Sequence, residues 1–313
     1  MQRPKITVIG SSNTDLVAKT PKLPAPGETV LGSEFIIAPG GKGANQAVAI
    51  ARLGGDVTFV AKLGMDDFGD QALQNFRVDG INTDFVFRDK ETSSGVALIF
   101  VDDDGENMII AVQGANARLS PADIDRARPA IEDADAVALQ LETPIETVEH
   151  AVAIAAENGV PVILNPAPGR KLEARLIEKT DCLTPNETEA EILTGIKVTD
   201  DDTAVKAGQN LLELGASSVV VTMGKRGAVL ITAEESSLVP AFQVNPVDAT
   251  AAGDAFTGGL AYARASGRDL EDAVKFANAV AALAVTKMGA QPSMPAREDV
   301  ERFLFRRYGS QSG

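Results

Sequence analysis

The most constraining feature of the sequence is a regular alternation between short apolar runs and amphipathic helical segments. The apolar runs are rich in β-branched residues and read KITVIG, DVTFVAKLG, DAVALQLE, PVILNP, DCLTPN and SSVVVTMG. Between them lie segments such as NQAVAIARLGG, IETVEHAVAIAAENG and DDTAVKAGQNLLELG, with apolar residues at helical spacing. This alternation predicts βαβ units around a mostly parallel sheet, in which ligands bind at the carboxyl ends of the strands.

Two segments depart from this alternation. Residues 16–39 have extended character, with Pro and Gly punctuation and no helical pattern. Residues 94–112 indicate two strands joined by the acidic turn DDDGEN. We expect the two segments to form a small antiparallel sheet that projects from the main body. Two unrelated edge hairpins are the alternative.

Composition excludes several classes of function. A net charge of −15, with no cluster of basic and aromatic residues, disfavours nucleic-acid binding. Cys182 and His150 are each the only residue of their type, which argues against disulfides, a structural zinc site or a catalytic triad. His150 is expected on the surface of an ordinary helix. With no membrane-spanning run and no signal-peptide pattern, we expect a cytoplasmic location and no membrane partner.

The stretch DATAAGDAF, residues 248–256, places three small residues before a lone aspartate and a helical pattern. If a helix begins near Ala251, the free N–H groups of Ala251, Ala252 and Gly253 are open to an anion. Asp254 then lies in the first turn beside that anion. This arrangement suits phosphoryl transfer to a hydroxyl, with the carboxylate accepting the proton. An aspartate that only complements the helix dipole is the alternative.

Three further stretches carry polar groups at strand ends. In GGKGANQA the spacing fits neither a Walker A motif nor a dinucleotide fingerprint, but Lys42 and Asn45 offer donors to a polyhydroxylated ligand. In PNETEAE, Asn186 and Glu189 share a helix face, as either a capping pair or an outer-sphere Mg²⁺ site. VTMGKRG is either a hairpin turn or a glycine-rich approach to a nucleotide.

These stretches, in their order, resemble the ribokinase family of sugar and nucleoside kinases along nearly the whole chain. GSSNTDLV, NPAPGR and GAQPSMP add to the resemblance. It implies a three-layer α/β fold with a mostly parallel central sheet and a small β-sheet lid, usually dimerising through the lids. The implied division is a body of residues 1–12, 40–93 and 113–313 and a lid of residues 13–39 and 94–112.

The resemblance also implies roles for individual residues. Asp254 would be the general base, and Ala251, Ala252 and Gly253 would form the anion hole for the γ-phosphate. The implied sugar-binding residues are Asn13, Asp15, Gly41, Lys42, Asn45, Glu142 and Asp254. The implied ATP-binding residues are Asn186, Thr222, Gly224, Lys225, Gly227, Gly253 and Asn278. Asn186 and Glu189 would lie near Mg²⁺ and hold it through water.

A monovalent-cation site beside the anion hole is a further implication. Its oxygens, mostly backbone carbonyls, would come from Asp248, Thr250, Ala284, Lys287, Gly289 and Ser293. A K⁺ ion there would order the loop without touching substrate. Family members usually have Thr where this chain has Ala249, and the lost hydroxyl would weaken cation or phosphate contacts while leaving Asp254 intact.

Asn13 guides the choice of substrate. Relatives acting on 2-deoxyribose resemble one another in having an apolar residue at this position, whereas an amide can bond a 2-hydroxyl. We therefore expect ATP-dependent phosphorylation of D-ribose at O5, giving D-ribose 5-phosphate. The alternatives are a kinase for 2-deoxyribose, fructose or adenosine, and a non-catalytic sugar-binding protein, against which Asp254 and Gly253 argue. A nicotinamide-dependent dehydrogenase would need a glycine fingerprint that ITVIGSSNTD lacks.

Overall fold

The computed structural model describes residues 3–308 of the chain. Within this range the strands are β1 (Lys5–Ile9), β2 (Asn13–Lys19), β3 (Glu34–Gly40), β4 (Asp56–Gly64), β5 (Val86–Asp89), β6 (Gly95–Val101), β7 (Asn107–Val112), β8 (Ala136–Leu139), β9 (Val162–Leu164), β10 (Cys182–Leu183), β11 (Val219–Thr222), β12 (Gly227–Ile231) and β13 (Ser236–Pro240). The helices are α1 (Lys42–Arg52), α2 (Asp67–Val78), α3 (Pro121–Glu132), α4 (Ile145–Glu157), α5 (Ala174–Ile177), α6 (Glu187–Thr194), α7 (Asp201–Glu213), α8 (Ala252–Ala265), α9 (Leu270–Ala284) and α10 (Arg297–Tyr308). Short 3₁₀ turns span Gly114–Arg118, Gly224–Arg226 and Gln291–Ser293.

Nine strands form the main sheet, in the order β13-β12-β11-β10-β9-β8-β1-β4-β5. From β11 to β5 all neighbouring strands are parallel, and only the β11–β12 and β12–β13 pairs are antiparallel. Strands β8 and β9 are buried along their whole length, as strands covered on both faces must be. The predicted α/β architecture with a mostly parallel central sheet is confirmed.

Helices cover both faces of the main sheet and give the molecule three layers. Side chains from α1, α2, α8, α9 and α10 pack on one face, around Phe59, Phe76 and Phe276. Side chains from α3, α4, α5, α6 and α7 pack on the other, around Ile124, Ile131 and Leu139. Successive side chains of a strand point to opposite faces of the sheet. In β1, Val8 packs in the first core and Ile9 in the second.

The two irregular segments form a separate four-stranded sheet in the order β3-β2-β6-β7. The β2–β3 and β6–β7 pairs are antiparallel hairpins, as predicted, but the central β2–β6 pair is parallel. The expectation of a wholly antiparallel sheet is wrong at this pair. Both strands leave the body side by side, with Asn13 paired to Gly95, and therefore run outward in the same direction. We call this sheet the lid sheet.

His150 and Cys182 take ordinary structural positions. His150 lies on α4, where its Nε2 is 2.8 Å from Asp125 Oδ1 of α3. Cys182 is buried in β10, and burial raises the pKa of its thiol to about 11. Within residues 3–308, none of the helices combines the length and apolar character needed to cross a membrane.

Candidate active site

A cleft of about 400 Å³ lies between the lid sheet and the carboxyl ends of the main-sheet strands. The lid contributes Ala97, Ile99, Ile109 and Ala111 to its wall. The predicted site residues that line the cleft are Asn13, Asp15, Gly41, Lys42, Asn45, Glu142, Asn186, Glu189, Thr222, Thr250, Ala251, Ala252, Gly253 and Asp254. The fold thus brings together residues from both ends of the chain at the edge where parallel sheets bind ligands.

Asp254 lies in the first turn of α8 and is 5% exposed. Its Oδ2 accepts a hydrogen bond from Asn45 Nδ2 at 2.8 Å, and its Oδ1 accepts one from Gln46 Nε2 at 3.3 Å. Gln46 is oriented in turn, because its Oε1 accepts from Gln140 Nε2 at 2.6 Å. Burial raises the pKa of Asp254 above its usual value, although Lys42 and Asn45 oppose the rise. The result is a fixed carboxylate with greater proton affinity than an exposed one.

The first residues of α8 present unpaired backbone donors. Ala251 caps the helix at φ 59°, the left-handed region that residues with a side chain seldom enter. Within the described chain, the N–H groups of Ala251, Gly253 and Asp254 have no acceptor, whereas Ala252 N donates to Ala249 O at 3.2 Å. Of the three predicted donors, two are therefore open and Ala252 is engaged. Successive N–H groups at such a turn form a concavity for anions.

Lys42 is the central cation of the cleft. Burial lowers the pKa of Lys42, but the carboxylates of Asp254, Glu142 and Glu189 raise it more, so its pKa lies above the ordinary value. The ammonium group therefore stays charged. Glu142 Oε2 accepts from the backbone N–H of Lys42 at 3.0 Å and from the hydroxyl of Ser11. One carboxylate thus fixes both the start of α1 and the loop that follows β1.

The lid strand β2 carries two polar side chains into the cleft. Burial, with the nearby charge of Glu142, raises the pKa of Asp15 to about 6. Asn13 Oδ1 accepts a hydrogen bond from Asn116 Nδ2 at 2.8 Å. The Asp15 side chain fits because the residue opposite it, Gly40, has no side chain. A Cβ at Gly40 would lie 2.6 Å from Asp15 Oδ1.

The predicted Mg²⁺ pair forms a capping box at the start of α6. Asn186 Oδ1 accepts from Glu189 N at 2.8 Å, and Glu189 Oε2 accepts from Asn186 N at 3.0 Å. Burial raises the pKa of Glu189, while the N–H of Asn186 and the charge of Lys42 oppose this. The capping alternative therefore describes the local geometry. The same two residues also face the cleft, beside Thr222 and Thr184.

Several predicted nucleotide contacts lie outside the cleft wall. Gly224, Lys225 and Gly227 occupy the turn between β11 and β12, so the hairpin interpretation of that stretch is confirmed. Asn278 is buried on α9, where its Nδ2 donates to Val239 O at 3.0 Å and holds the end of β13. Their proposed contacts with nucleotide stay predictions.

Of the predicted cation-site residues, Asp248, Thr250 and Gly289 meet where two loops join, whereas the contribution of Ala284, Lys287 and Ser293 stays a prediction. Asp248 Oδ1 accepts from Thr250 N at 2.9 Å, and its Oδ2 accepts from Gly289 N at 2.8 Å. Although burial opposes it, these hydrogen bonds lower the pKa of Asp248. Val247 N donates to Val285 O at 2.7 Å in the same junction. Within residues 3–308, no cluster of three or more acidic, His or Cys residues is placed to hold a metal ion.

Sequence reasoning missed three buried amides that support the site: Gln46, Gln140 and Asn116. Gln46 adjoins Asn45 in GGKGANQA, so the motif contained a signal for it. Gln140 and Asn116 carry none, because their partners lie 94 and 104 residues away in the chain. Only the fold brings them into contact with Gln46 and Asn13.

Comparison with known proteins places this chain in a family. A family model described as "pfkB family carbohydrate kinase" matches residues 3–297. The chain is 42% identical over 302 residues to a ribokinase of Haemophilus influenzae, covering 96% of this chain and 99% of that protein. It is 44% identical over 300 residues to a deoxyribokinase of Salmonella typhi, covering 96% of this chain and 98% of that protein.

A solved structure shares the whole architecture. The chain matches the structure of an Arabidopsis thaliana ribokinase complexed with ribose and ATP at a TM-score of 0.91 and 32% identity. The match covers 97% of this chain and 99% of that one. Both the body and the lid sheet therefore belong to a known arrangement.

Proposed function

The chain belongs to the pfkB family of carbohydrate kinases, and on that premise we propose that it phosphorylates D-ribose at O5 with ATP, giving D-ribose 5-phosphate and ADP. The sugar-kinase class follows from the family. The observation that carries the mechanism is Asp254, buried at the start of α8 beside the open N–H groups of Ala251 and Gly253. A proton acceptor and an anion-binding backbone at one point are what phosphoryl transfer to a hydroxyl requires.

In the proposed reaction, Asp254 accepts the proton of the O5 hydroxyl as that oxygen attacks the γ-phosphorus of ATP. The new O5–P bond forms while the bond from the γ-phosphorus to its bridging oxygen breaks, and ADP leaves. The open N–H groups and Lys42 stabilise the charge on the transferring group. Asn45 and Gln46 hold the carboxylate in place, at 2.8 and 3.3 Å. Its raised pKa favours acceptance of the proton.

The proposed reaction includes two metal ions, Mg²⁺ and K⁺. Glu189 has one carboxylate oxygen in the capping box, which leaves the other for the water shell of Mg²⁺, an ion that prefers to keep its waters. Mg²⁺ would neutralise charge on the phosphates of ATP. The junction around Asp248 and Gly289 would hold K⁺ through carbonyl oxygens, and the ion would order the loop that precedes α8.

The choice of ribose rests on Asn13. The chain is nearly as similar to a ribokinase as to a deoxyribokinase, at 42% and 44% identity, so overall identity does not separate the two substrates. Asn13 lines the cleft on the lid side and offers an amide to a sugar hydroxyl. A site built to bond a 2-hydroxyl disfavours the sugar that lacks it, because the amide is left unpaired. 2-Deoxyribose is the second candidate.

We further propose a homodimer formed through the lids, with the lid spanning residues 13–39 and 94–112. Strand β7 is exposed along its whole length, and Met108, Ile110 and Val112 are 50, 55 and 44% exposed. Phe35, on the opposite edge strand, is 63% exposed. A contiguous apolar face of this kind supports burial against a second copy.

The test is ATP-dependent phosphorylation of ribose, 2-deoxyribose, fructose and adenosine, with Mg²⁺ present and with K⁺, Na⁺ or neither. We expect ribose to have the highest kcat/KM and K⁺ to raise the rate. A preference for another sugar would overturn the ribose assignment, and equal rates in all three buffers would overturn the cation site.

A further inference from the structure

The buried amide of Asn116 lies outside the cleft wall and contacts the predicted substrate residue Asn13. Asn116 belongs to the 3₁₀ turn Gly114–Arg118, where the chain returns from the lid to the body, and is 1% exposed. Its Oδ1 accepts from Ser12 N at 2.9 Å, while its Nδ2 donates to Ser12 O at 3.1 Å. Rotating this amide by half a turn would oppose donor to donor and acceptor to acceptor, so the backbone of Ser12 fixes its orientation.

This fixed orientation determines that of Asn13. The remaining Nδ2 hydrogen of Asn116 is donated to Asn13 at 2.8 Å, and a donor requires the oxygen of the second amide opposite it. Asn13 Oδ1 is therefore occupied by Asn116, and its NH₂ group is left for the cleft. An amide without such a partner could present either its oxygen or its nitrogen to a ligand.

The surrounding strands leave room for this pair and for little else. Gly95 stands opposite Asn13 in the parallel β2–β6 pair. A Cβ at Gly95 would overlap both Asn116 Nδ2 and Asn13 Oδ1. The parallel direction of the β2–β6 pair thus has a local role, since it places a glycine beside the two amides.

We propose that Asn116 is a positioning residue that holds the Asn13 amide with its NH₂ group toward the sugar, and so makes Asn13 a donor to a hydroxyl oxygen. The proposal rests on the proposed sugar-binding role of Asn13. The carboxylates of Asp15 and Glu142 in the same cleft can only accept when ionised. A hydroxyl between these groups therefore accepts from Asn13 and donates to a carboxylate.

The experiment is a double-mutant cycle with the variants Asn116→Ala, Asn13→Ala and the two combined. For Asn116→Ala we expect the KM for the sugar to rise about tenfold with kcat changed by less than about threefold, as for loss of one oriented hydrogen bond. In the Asn13→Ala background the same change should raise KM by less than about twofold, because its target is gone. Equal KM increases in both backgrounds would overturn the proposal.

Thr147→Val is the matched control. The buried Thr147 hydroxyl donates to Leu119 O at 2.7 Å, and Leu119 directly follows the 3₁₀ turn of Asn116. The variant loosens the same segment without contacting Asn13, so its KM should stay within about twofold of wild type. A KM increase equal to that of Asn116→Ala would mean that general loosening, not orientation, sets affinity.

A replacement variant and an independent substrate test separate failure of the Asn116 proposal from failure of folding or of the proposed function. If Asn116→Ala does not fold, Asn116→Asp takes its place in the cycle, because it retains an acceptor for Ser12 N and, when ionised, has no hydrogen to donate to Asn13. Wild-type kcat/KM values for ribose and 2-deoxyribose test the proposed function independently. If wild type prefers another sugar, the ribose assignment fails, and the cycle is run on the KM for that sugar.

Discussion

Asp254 is the residue on which the proposed chemistry depends most. Replacing Asp254 with Asn keeps the side-chain size but removes the proton acceptor, so we expect kcat to fall by about 10²–10⁴-fold while ribose affinity is retained. Steady-state kinetics measure kcat, titration calorimetry measures the affinity for ribose, and thermal melting checks that the variant keeps its fold. Cys182→Ala is the control, because the Cys182 thiol is buried and does not line the cleft. The turnover of this variant should match that of wild type. Near-normal turnover of Asp254→Asn would contradict the general-base role.

Asp15 links substrate binding to stability. With a pKa of about 6 in the folded chain and about 4 in the unfolded chain, Asp15 binds its proton more tightly when folded. The contribution of protonated Asp15 to the free energy of unfolding is therefore lost as pH rises from about 4 to 6. Above pH 6 the ionised carboxylate destabilises the fold. We expect Asp15→Asn to stabilise the protein by about 1–3 kcal/mol at pH 7.5, with no gain below pH 4.

Denaturant unfolding at the two pH values measures this effect, and Asp103→Asn in the exposed lid turn is the control. The same variant should raise the KM for sugar at pH 7.5, because it loses an ionised acceptor. In wild type, kcat/KM should fall as pH drops through about 6. A stability gain that is equal at both pH values would contradict the assigned titration.

At the scale of elements, α1 begins where it touches the end of β1. A Cβ at Gly43 would lie 2.6 Å from Ser11 N and 2.7 Å from the Cα of Gly10. We expect Gly43→Ala to cost about 1–3 kcal/mol and to raise the KM for sugar, since α1 must shift and carry Lys42 and Asn45 with it. Ala51→Gly, in the last turn of the same helix, should cost about 1 kcal/mol and leave KM unchanged.

The elements themselves could be predicted from the sequence because their evidence is local. The spacing of apolar residues in KITVIG and in IETVEHAVAIAAENG indicates which neighbouring side chains are buried. The first segment forms the predicted strand β1 and the second the predicted helix α4. The direction in which two strands pair depends on residues that are far apart in the sequence. The alternation in residues 94–112 predicts two strands but does not encode that β6 lies parallel to β2.

The lining of the cleft could be predicted to the same extent. Residues in glycine-rich or capping motifs, such as Lys42 and Glu189, carry a pattern and line the cleft. Asn116 carries none in the sequence GANAR, because its partner Ser12 lies 104 positions earlier. Ala252 shows a finer limit, since motif spacing cannot tell that its N–H is already bonded to Ala249 O.

At the scale of the whole molecule, the exposed lid tests the proposed dimer. Ile110 is 55% exposed in the middle of β7. We expect Ile110→Asp to convert a dimer into monomers in analytical ultracentrifugation, because a charge would be buried at the interface. Val78→Asp is the matched control, at an 82% exposed apolar residue on α2 in the body. A monomeric wild type, or a dimer unaffected by Ile110→Asp, would contradict association through the lids.

The strand order of the main sheet also bears on how the chain is made. Starting from β1, the strands β4 and β5 extend the sheet on one side, and β8 to β13 extend it on the other in the order in which a ribosome releases them. Each new strand can therefore dock beside its predecessor during translation. Asp254 comes only after β13, the last strand of the sheet. A nascent chain can thus complete its main sheet before it acquires its proposed base, and catalytic competence comes late in synthesis.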